Sequence, residues 1–177
     1  AFCGSFCTHK KVLEQYLLLT QEYETVIPIV SESAASTDTR FGSAADFLKT
    51  VETAAGRSAI RCIRDAEPIG PKKLLDALVI APCTGGGVTD STVTLAAKAH
   101  LRNGRPVLLA IASNDALAGN AENIGRLLAR KHYYFVPFGQ DDPEGKPCSL
   151  VADMNQLRPA LEAALQGRQL QPLLLHT

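Results

Sequence analysis

Short apolar runs rich in β-branched residues alternate along the chain with stretches whose apolar positions repeat at helical spacing. Val26 to Val30, Ala59 to Ile63, Ala77 to Ala81, Pro106 to Ala112 and Tyr133 to Phe138 read as strands. The run from Ala77 to Ala81 is apolar throughout, the pattern of a parallel strand covered on both faces. Helical period fills the intervals. Lys10 to Leu19 sets Val12, Leu13, Tyr16 and Leu17 on one face, and Ala121 to Arg130 does the same with Ile124, Leu127 and Leu128. Ala44 to Ala55 follows Ser43, with Asp46 placed as in a capping box. Asp153 caps a last helix carrying Met154, Leu157, Leu161 and Leu165, and Gly167 stops it.

Strand and helix alternating in this way predict βαβ units. The expected fold is α/β: a single doubly wound Rossmann-like or flavodoxin-like parallel sheet with helices on both faces, filling one domain over residues 1–177. Two long loops break the rhythm, Ser31 to Gly42 and Gly139 to Ser149. Loops beyond about 10 residues in a compact domain are usually functional or mobile. Ala1 to Gly4 reads as the tail of a strand already under way, so the natural chain is expected to extend upstream.

Composition narrows the function classes. Hydrophobic residues make up 46% and charged residues 20% of the 177, an ordinary globular mix long enough to bury a core. Eighteen basic residues balance 18 acidic ones, so there is no electrostatic footprint for nucleic acid or an anionic membrane. No apolar run approaches membrane-spanning length. The five cysteines, Cys3, Cys7, Cys62, Cys83 and Cys148, form no CxxC pair, which argues against a disulfide framework and a zinc knuckle and for a reducing cytosol. Histidines 9, 100, 132 and 176 form no metal-ligand cluster; His9, at a helix start, reads as exposed.

In open α/β sheets ligands bind beyond the carboxyl ends of the strands, so the segments after each strand carry the information. Gly4-Ser5-Phe6-Cys7-Thr8 places small and hydroxyl residues before a helix, equally a plain turn or a phosphate seat. No GxGxxG and no Walker lysine pattern accompanies it. Ala81-Pro82-Cys83-Thr84-Gly85 is a second such turn: Pro82 directs the exit from the strand, Thr84 offers a hydroxyl and Gly85 allows close backbone approach. Ser113-Asn114-Asp115 is a third, where an Asx turn is the favoured reading over a ligand-facing asparagine. Arg40, in Thr37-Asp38-Thr39-Arg40-Phe41-Gly42, has the fork that grips a carboxylate, although an arginine paired with Asp38 is the simpler account. Lys98 and Arg102 share a helix face and read as surface charges. Cys83 lacks an identifiable base, and Gln140 to Glu144 reads as a polar turn rather than a metal site.

These segments together resemble the dipicolinate synthase B-subunit family over essentially the whole chain. The likeness extends through Glu67-Pro68-Ile69-Gly70-Pro71-Lys72-Lys73-Leu74-Leu75-Asp76, Ala96 to Asn103, Ser113 to Leu117, Tyr134 to Pro143 and Ser149 to Asp153. That family is similar to the flavoproteins that include the cysteine decarboxylases and flavin prenyltransferases, which implies FMN at a site in a homo-oligomer. By the resemblance Gly4, Ser5 and Ser31 would line the phosphate and ribityl end, with Pro82, Thr84, Gly85, Ser113 and Asn114 at the later flavin-binding positions. Arg40, and secondarily Lys98, would bind a small dicarboxylate. The implied activity is the two-electron oxidation of a dihydrodipicolinate-level lysine-pathway intermediate to dipicolinic acid, in the mother-cell cytoplasm of a sporulating bacterium. The A subunit of dipicolinate synthase would be the partner, bringing NADPH. The other readings are a non-catalytic FMN- or substrate-binding role, and a flavin-dependent decarboxylase on the same scaffold. The decarboxylases' histidine has no counterpart between Asp65 and Gly70. The family also carries a longer segment after the Pro82–Gly85 turn. Gly85 to Asp90 leads straight into the next helix instead, either a deletion or, as expected here, the trace of a missing flap.

Overall fold

The apolar runs at Leu78–Cys83 and Val107–Ser113 form β1 and β2, the paired centre of the sheet. Val107 to Ala112 are all buried, as a strand covered on both faces requires. The structure, a computed structural model, describes residues 1–84 and 91–175. β3 (Tyr133–Phe135) runs parallel to β2 on its other side. Beyond β1 the array continues through isolated contacts. Ala81 N donates to Ala1 O at 2.9 Å, Phe2 bridges Val30 and Ile29 bridges Ile60, both in parallel sense. Read across from Ile60 to β3, the chain order is third, second, first, fourth, fifth, sixth. That is the order of the dinucleotide-binding doubly wound sheets, with its reversal between the Phe2 segment and β1.

Among the described residues the helices are α1 (His9–Glu22), α2 (Glu32–Ser36), α3 (Ala44–Ala55), α4 (Ile63–Ala66), α5 (Thr92–Leu101), α6 (Ala121–Leu128) and α7 (Leu157–Leu165). Right-handed crossovers leaving the Phe2 segment and β1 in opposite directions put their helices on opposite faces. α1 and α3 pack together on one face, where Tyr16 Oη donates to Val51 O at 2.9 Å. α7 joins them, with Arg158 Nε on Glu22 Oε2 at 2.8 Å. α5 covers β1 and β2 from the other side and packs on α4. One contiguous core runs from Phe2 and Ile29 through Leu108 and Ile111 to Leu157.

The α/β class and the parallel array match the sequence expectation, with four departures. First, the sheet is mixed: β5 (Leu150–Ala152) pairs antiparallel with the end of β2 and with β4 (Phe138–Gly139). Pro137 supplies no N–H, so the expected strand from 133 to 138 divides there and its second half changes partner. Second, the expected strands at 26–30 and 59–63 shrink to bridges at Ile29, Val30 and Ile60. Pro28 can only accept, which it does from Ile60 N at 2.9 Å, and exposed Arg61 and Cys62 lead directly into α4. Third, the long loop from 31 to 42 contains α2 and a tight turn in which Thr39 and Gly42 exchange both backbone bonds at 3.0 and 3.1 Å. Fourth, the buried face of α1 is Val12, Gln15, Tyr16 and Leu19, whereas Leu17 is exposed.

The outer edge of β3 is closed by a side chain. Gln169 Oε1 accepts from Phe135 N at 2.8 Å and its Nε2 donates to Phe135 O at 2.7 Å. Next to it the tail flanks Phe138, whose N–H donates to Leu173 O at 3.0 Å while Leu175 N donates to Phe138 O at 2.9 Å. On the α5 face the tightest approach is at Gly70, where a Cβ would stand 2.9 Å from Ala99 O. Neither partner is a flexible side chain, so the backbone would have to move. Gly70→Ala is therefore expected to cost about 1–3 kcal/mol through overpacking, read as a lower urea midpoint at unchanged slope.

Candidate functional site

Beyond Cys3 the chain must turn from extended backbone into α1 within Gly4 to Thr8. Ser5 adopts a left-handed conformation (φ 65°, ψ 51°), uncommon away from glycine, and Phe6–Thr8 follow as a right-handed 3-10 turn. That change of hand turns successive backbone N–H groups into one concavity, which suits an anion. Phe6 and Cys7 open the turn, so their N–H groups have no acceptor within it. Thr8 N closes it on Ser5 O at 2.9 Å, and the Ser5 and Thr8 hydroxyls meet at 3.2 Å.

His9 braces this turn from inside. Contrary to the sequence expectation it is buried, because its ring stacks on Phe47 with centroids 4.7 Å apart and Phe2 and Phe6 lie against it. Nε2 donates to Cys3 O at 2.8 Å. Burial pushes the imidazole below its ordinary pKa, against the opposing hydrogen bonds to the Cys3 and Gly4 backbone. A neutral ring locked to a carbonyl positions the turn.

Three neighbouring parallel segments end here together. Ser31 N donates to Phe2 O at 2.9 Å, and Ser31 Oγ caps α2 by accepting from Ala34 N at 3.3 Å. Gly4 faces Thr84 across the order reversal: a Cβ on Gly4 would lie 3.7 Å from Thr84 Cγ2. The structure thus gathers Gly4, Ser5, Ser31 and Thr84. Ser113 and Asn114 follow at the end of β2, one strand further along. In place of the expected Asx turn, the Ser113 hydroxyl makes the local bond, accepting from Asp115 N at 3.3 Å, while Asp115 takes Gly119 N and Asn120 Nδ2 at 3.2 Å each. Asn114 is left exposed.

Other expectations fall differently. Pro82 does not mark the exit from the strand; it is buried inside β1, after a cis Ala81–Pro82 peptide and within a register shift between Ile80 and Cys83. Gly85, and with it the question of a flap up to Asp90, lies outside the described residues. Arg40 is not paired with Asp38, whose Oδ1 accepts from Ala44 N at 2.8 Å. The guanidinium instead sits 4.8 Å above the Phe41 ring. Lys98 is exposed on the far part of α5, about 9 Å along the axis from Thr92 at 1.5 Å per residue.

Cys3 lies close enough to Cys83 to oppose its ionisation. Burial, the larger effect, pushes their thiols up to about 11 and about 12. Neither is a thiolate near neutrality. Asp141 accepts from Ser149 Oγ at 2.5 Å and pairs with Lys146 at 3.1 Å, so the acidic turn is a braced loop. Among the described residues no group of three His, Cys, Asp or Glu side chains could hold a metal.

No protein-family model matches the chain. The B subunit of dipicolinate synthase from Bacillus subtilis (strain 168) is 48% identical over 179 residues, covering 97% of this chain and 90% of that protein. The chain belongs to the dipicolinate synthase B-subunit family. The crystal structure of the dipicolinate synthase B subunit from Bacillus halodurans C matches this fold with a TM-score of 0.89 at 44% identity, over 99% of this chain and 94% of that one.

In this member of the dipicolinate synthase B-subunit family one clasp beside the site escapes a reading of the sequence. The Glu32 carboxylate, next to Ser31, accepts from Thr92 Oγ1 at 2.6 Å and from Thr92 N at 3.2 Å. It joins the start of α2 to the start of α5 across 60 residues of chain. Partial burial raises its pKa, but the Thr92 and backbone hydrogen bonds outweigh that and hold it below the ordinary carboxylate value. A depressed folded pKa adds stability that is complete above the unfolded value and is lost as pH falls through the folded one. The urea midpoint of the wild type should therefore exceed that of Glu32→Gln near pH 7, and the gap should close toward about pH 3. An unchanged gap at both pH values would remove the charge from the clasp.

Proposed function

We propose that this chain is the cofactor- and substrate-holding component in the two-electron oxidation of a dihydrodipicolinate-level intermediate to dipicolinic acid. In this proposal it works with an A subunit, in the cytoplasm of a sporulating mother cell, as a homo-oligomer. The observation that carries the reading is the left-handed Ser5 turn at the reversal of strand order, facing Thr84 and flanked by Ser31. Ligands of doubly wound sheets bind at that reversal.

The donor set there fits a phosphorylated flavin. The Phe6 and Cys7 N–H groups and the Ser5 and Thr8 hydroxyls would take the phosphate of FMN, with the α1 dipole favouring its charge. Gly4, Ser31 and Thr84 would line the ribityl chain; Ser113, Asn114 and the neighbourhood of Pro82 would meet the ring system. Bound FMN supplies a two-electron acceptor, which no side chain of the protein can. The residues of this chain bind, orient and exclude water. Neutral His9 and the protonated thiols of Cys3 and Cys83 match that division of labour, because none is poised for proton transfer. Arg40 would take a substrate carboxylate, and NADPH would enter through the A subunit.

Titration of the purified chain with FMN, followed by visible absorbance, tests the cofactor seat. Wild type should shift the flavin bands. Ser5→Pro, which cannot hold a left-handed φ, should weaken FMN binding at least about tenfold, the effect of losing one charged hydrogen bond. Dipicolinate formation should stop when either of the two chains is omitted. A chain that stays colourless at saturating FMN would leave a purely substrate-binding role without flavin, with the redox step in the A subunit.

A further inference from the structure

At the end of the sheet opposite the Ser5 turn, the three turns that lead into β1, β2 and β3 carry an unbalanced charge. Residues 71–76 bring Lys72 and Lys73, residues 101–106 bring Arg102 and Arg105, and residues 129–132 bring Arg130 and Lys131. Against these six cations stands one carboxylate, Asp76. This rim therefore holds five net positive charges in a chain whose total is zero, and the remainder of the molecule holds five net negative ones. Lys72, Lys73, Arg102, Arg130 and Lys131 are exposed. Among the described residues only Arg105 of the six belongs to an ion pair, with Asp76 at 3.1 Å. Charge segregated in this way gives a neutral protein a local field that its total conceals.

The three turns are also tied to one another. Lys73 (φ 50°), Gly104 (φ 65°) and His132 (φ 70°) put one left-handed residue in each, so every strand is entered through a tight reversal. Arg105 fastens the first turn to the second, its Nη1 donating to Lys73 O at 3.2 Å and to Leu75 O. Asn103 Nδ2 adds a bond to Gly70 O at 3.1 Å. Val107 N donates to His132 O at 2.8 Å and joins the second turn to the third. Cations carried on backbone that is already fixed leave less ordering to be done when a partner docks. Two exposed leucines flank the charges: Leu74 beside Lys73, and Leu128 two residues before Arg130. A phosphate backbone offers nothing to such side chains, whereas a protein partner combines apolar contact with a charged periphery.

We infer that this rim docks an acidic polypeptide segment of another protein, one that sets apolar side chains against Leu74 and Leu128 and carboxylates among the lysines and arginines. A partner held there leaves the turns beyond the carboxyl ends of the strands open to ligands. The inference goes beyond the function proposed above and depends on neither flavin nor a dicarboxylate.

Fluorescence anisotropy with the full chain tests it, using three labelled probes: a peptide of mixed Glu and Leu, an all-Glu peptide of the same length and a DNA duplex. The mixed peptide should bind most tightly, and its affinity should fall as salt screens the rim. Reversing two cations, Lys72→Glu with Lys131→Glu, should weaken it about 10- to 100-fold, the sum of several lost and several repulsive surface pairs. The neutral pair Lys72→Gln with Lys131→Gln should give a smaller loss in the same direction, and Leu74→Ser with Leu128→Ser should remove the preference for the mixed peptide over the all-Glu one. A remote reversal, Lys11→Glu with Lys49→Glu on the exposed sides of α1 and α3, should leave binding within about twofold. All variants should keep the wild-type thermal midpoint. Equal losses from the rim and the remote reversals would reduce the effect to diffuse attraction and overturn the inference. Duplex DNA bound as tightly as the mixed peptide would make the rim a nucleic-acid surface and overturn it too, as would a wild type that binds neither peptide at low salt.

Discussion

The segment from Ala1 to Cys3 has parallel neighbours on both sides, and the helical crossovers diverge from it. Phe2 N donates to Ile29 O at 2.8 Å, Ser31 N to Phe2 O at 2.9 Å, and Ala81 N to Ala1 O at 2.9 Å. Because right-handed connections must then leave in opposite directions, no helix covers the point where they part. The backbone turning out of Cys3 meets the backbone leaving β1 in that gap. Gly4 facing Thr84, Ser31 beside Phe2 and the Glu32–Thr92 clasp all follow from this topology.

Within the gap the polar groups are donors more than acids or bases. Hydroxyls and backbone N–H groups surround the turn, while burial lowers the pKa of His9 and raises that of Cys83. A preorganised donor set of this kind suits an anion at little reorganisation cost. The aromatic packing of Phe2, Phe6, Phe47 and His9 beneath it links the Ser5 turn, α1 and α3.

Much of this was legible in the sequence, for identifiable reasons. Ser43 with Asp46 marked the start of α3, and the wholly apolar run at 77–81 marked β1 as a strand covered on both faces. The rule that sites lie after strands selected Gly4, Ser31 and Thr84 without coordinates. What stayed hidden depended on partners distant in sequence. β5 is a three-residue strand whose existence depends on the end of β2, and Glu32 gains its role only through Thr92. Leu17 fits the helical period as well as Leu19 does, but α1 is rotated to bury Gln15 and Leu19. His9 looked like a surface residue because nothing local announces that Phe47 stacks on it.

Gln169 gives the sheet a further property. An amide side chain has one donor and one acceptor arm at the spacing of a peptide unit, and here both are fastened to Phe135. At Phe135 the rim of β3 is thereby satisfied by a side chain rather than by an additional strand. A foreign β-segment approaching that rim finds the Phe135 groups already taken, which guards this side of the molecule against edge-to-edge growth.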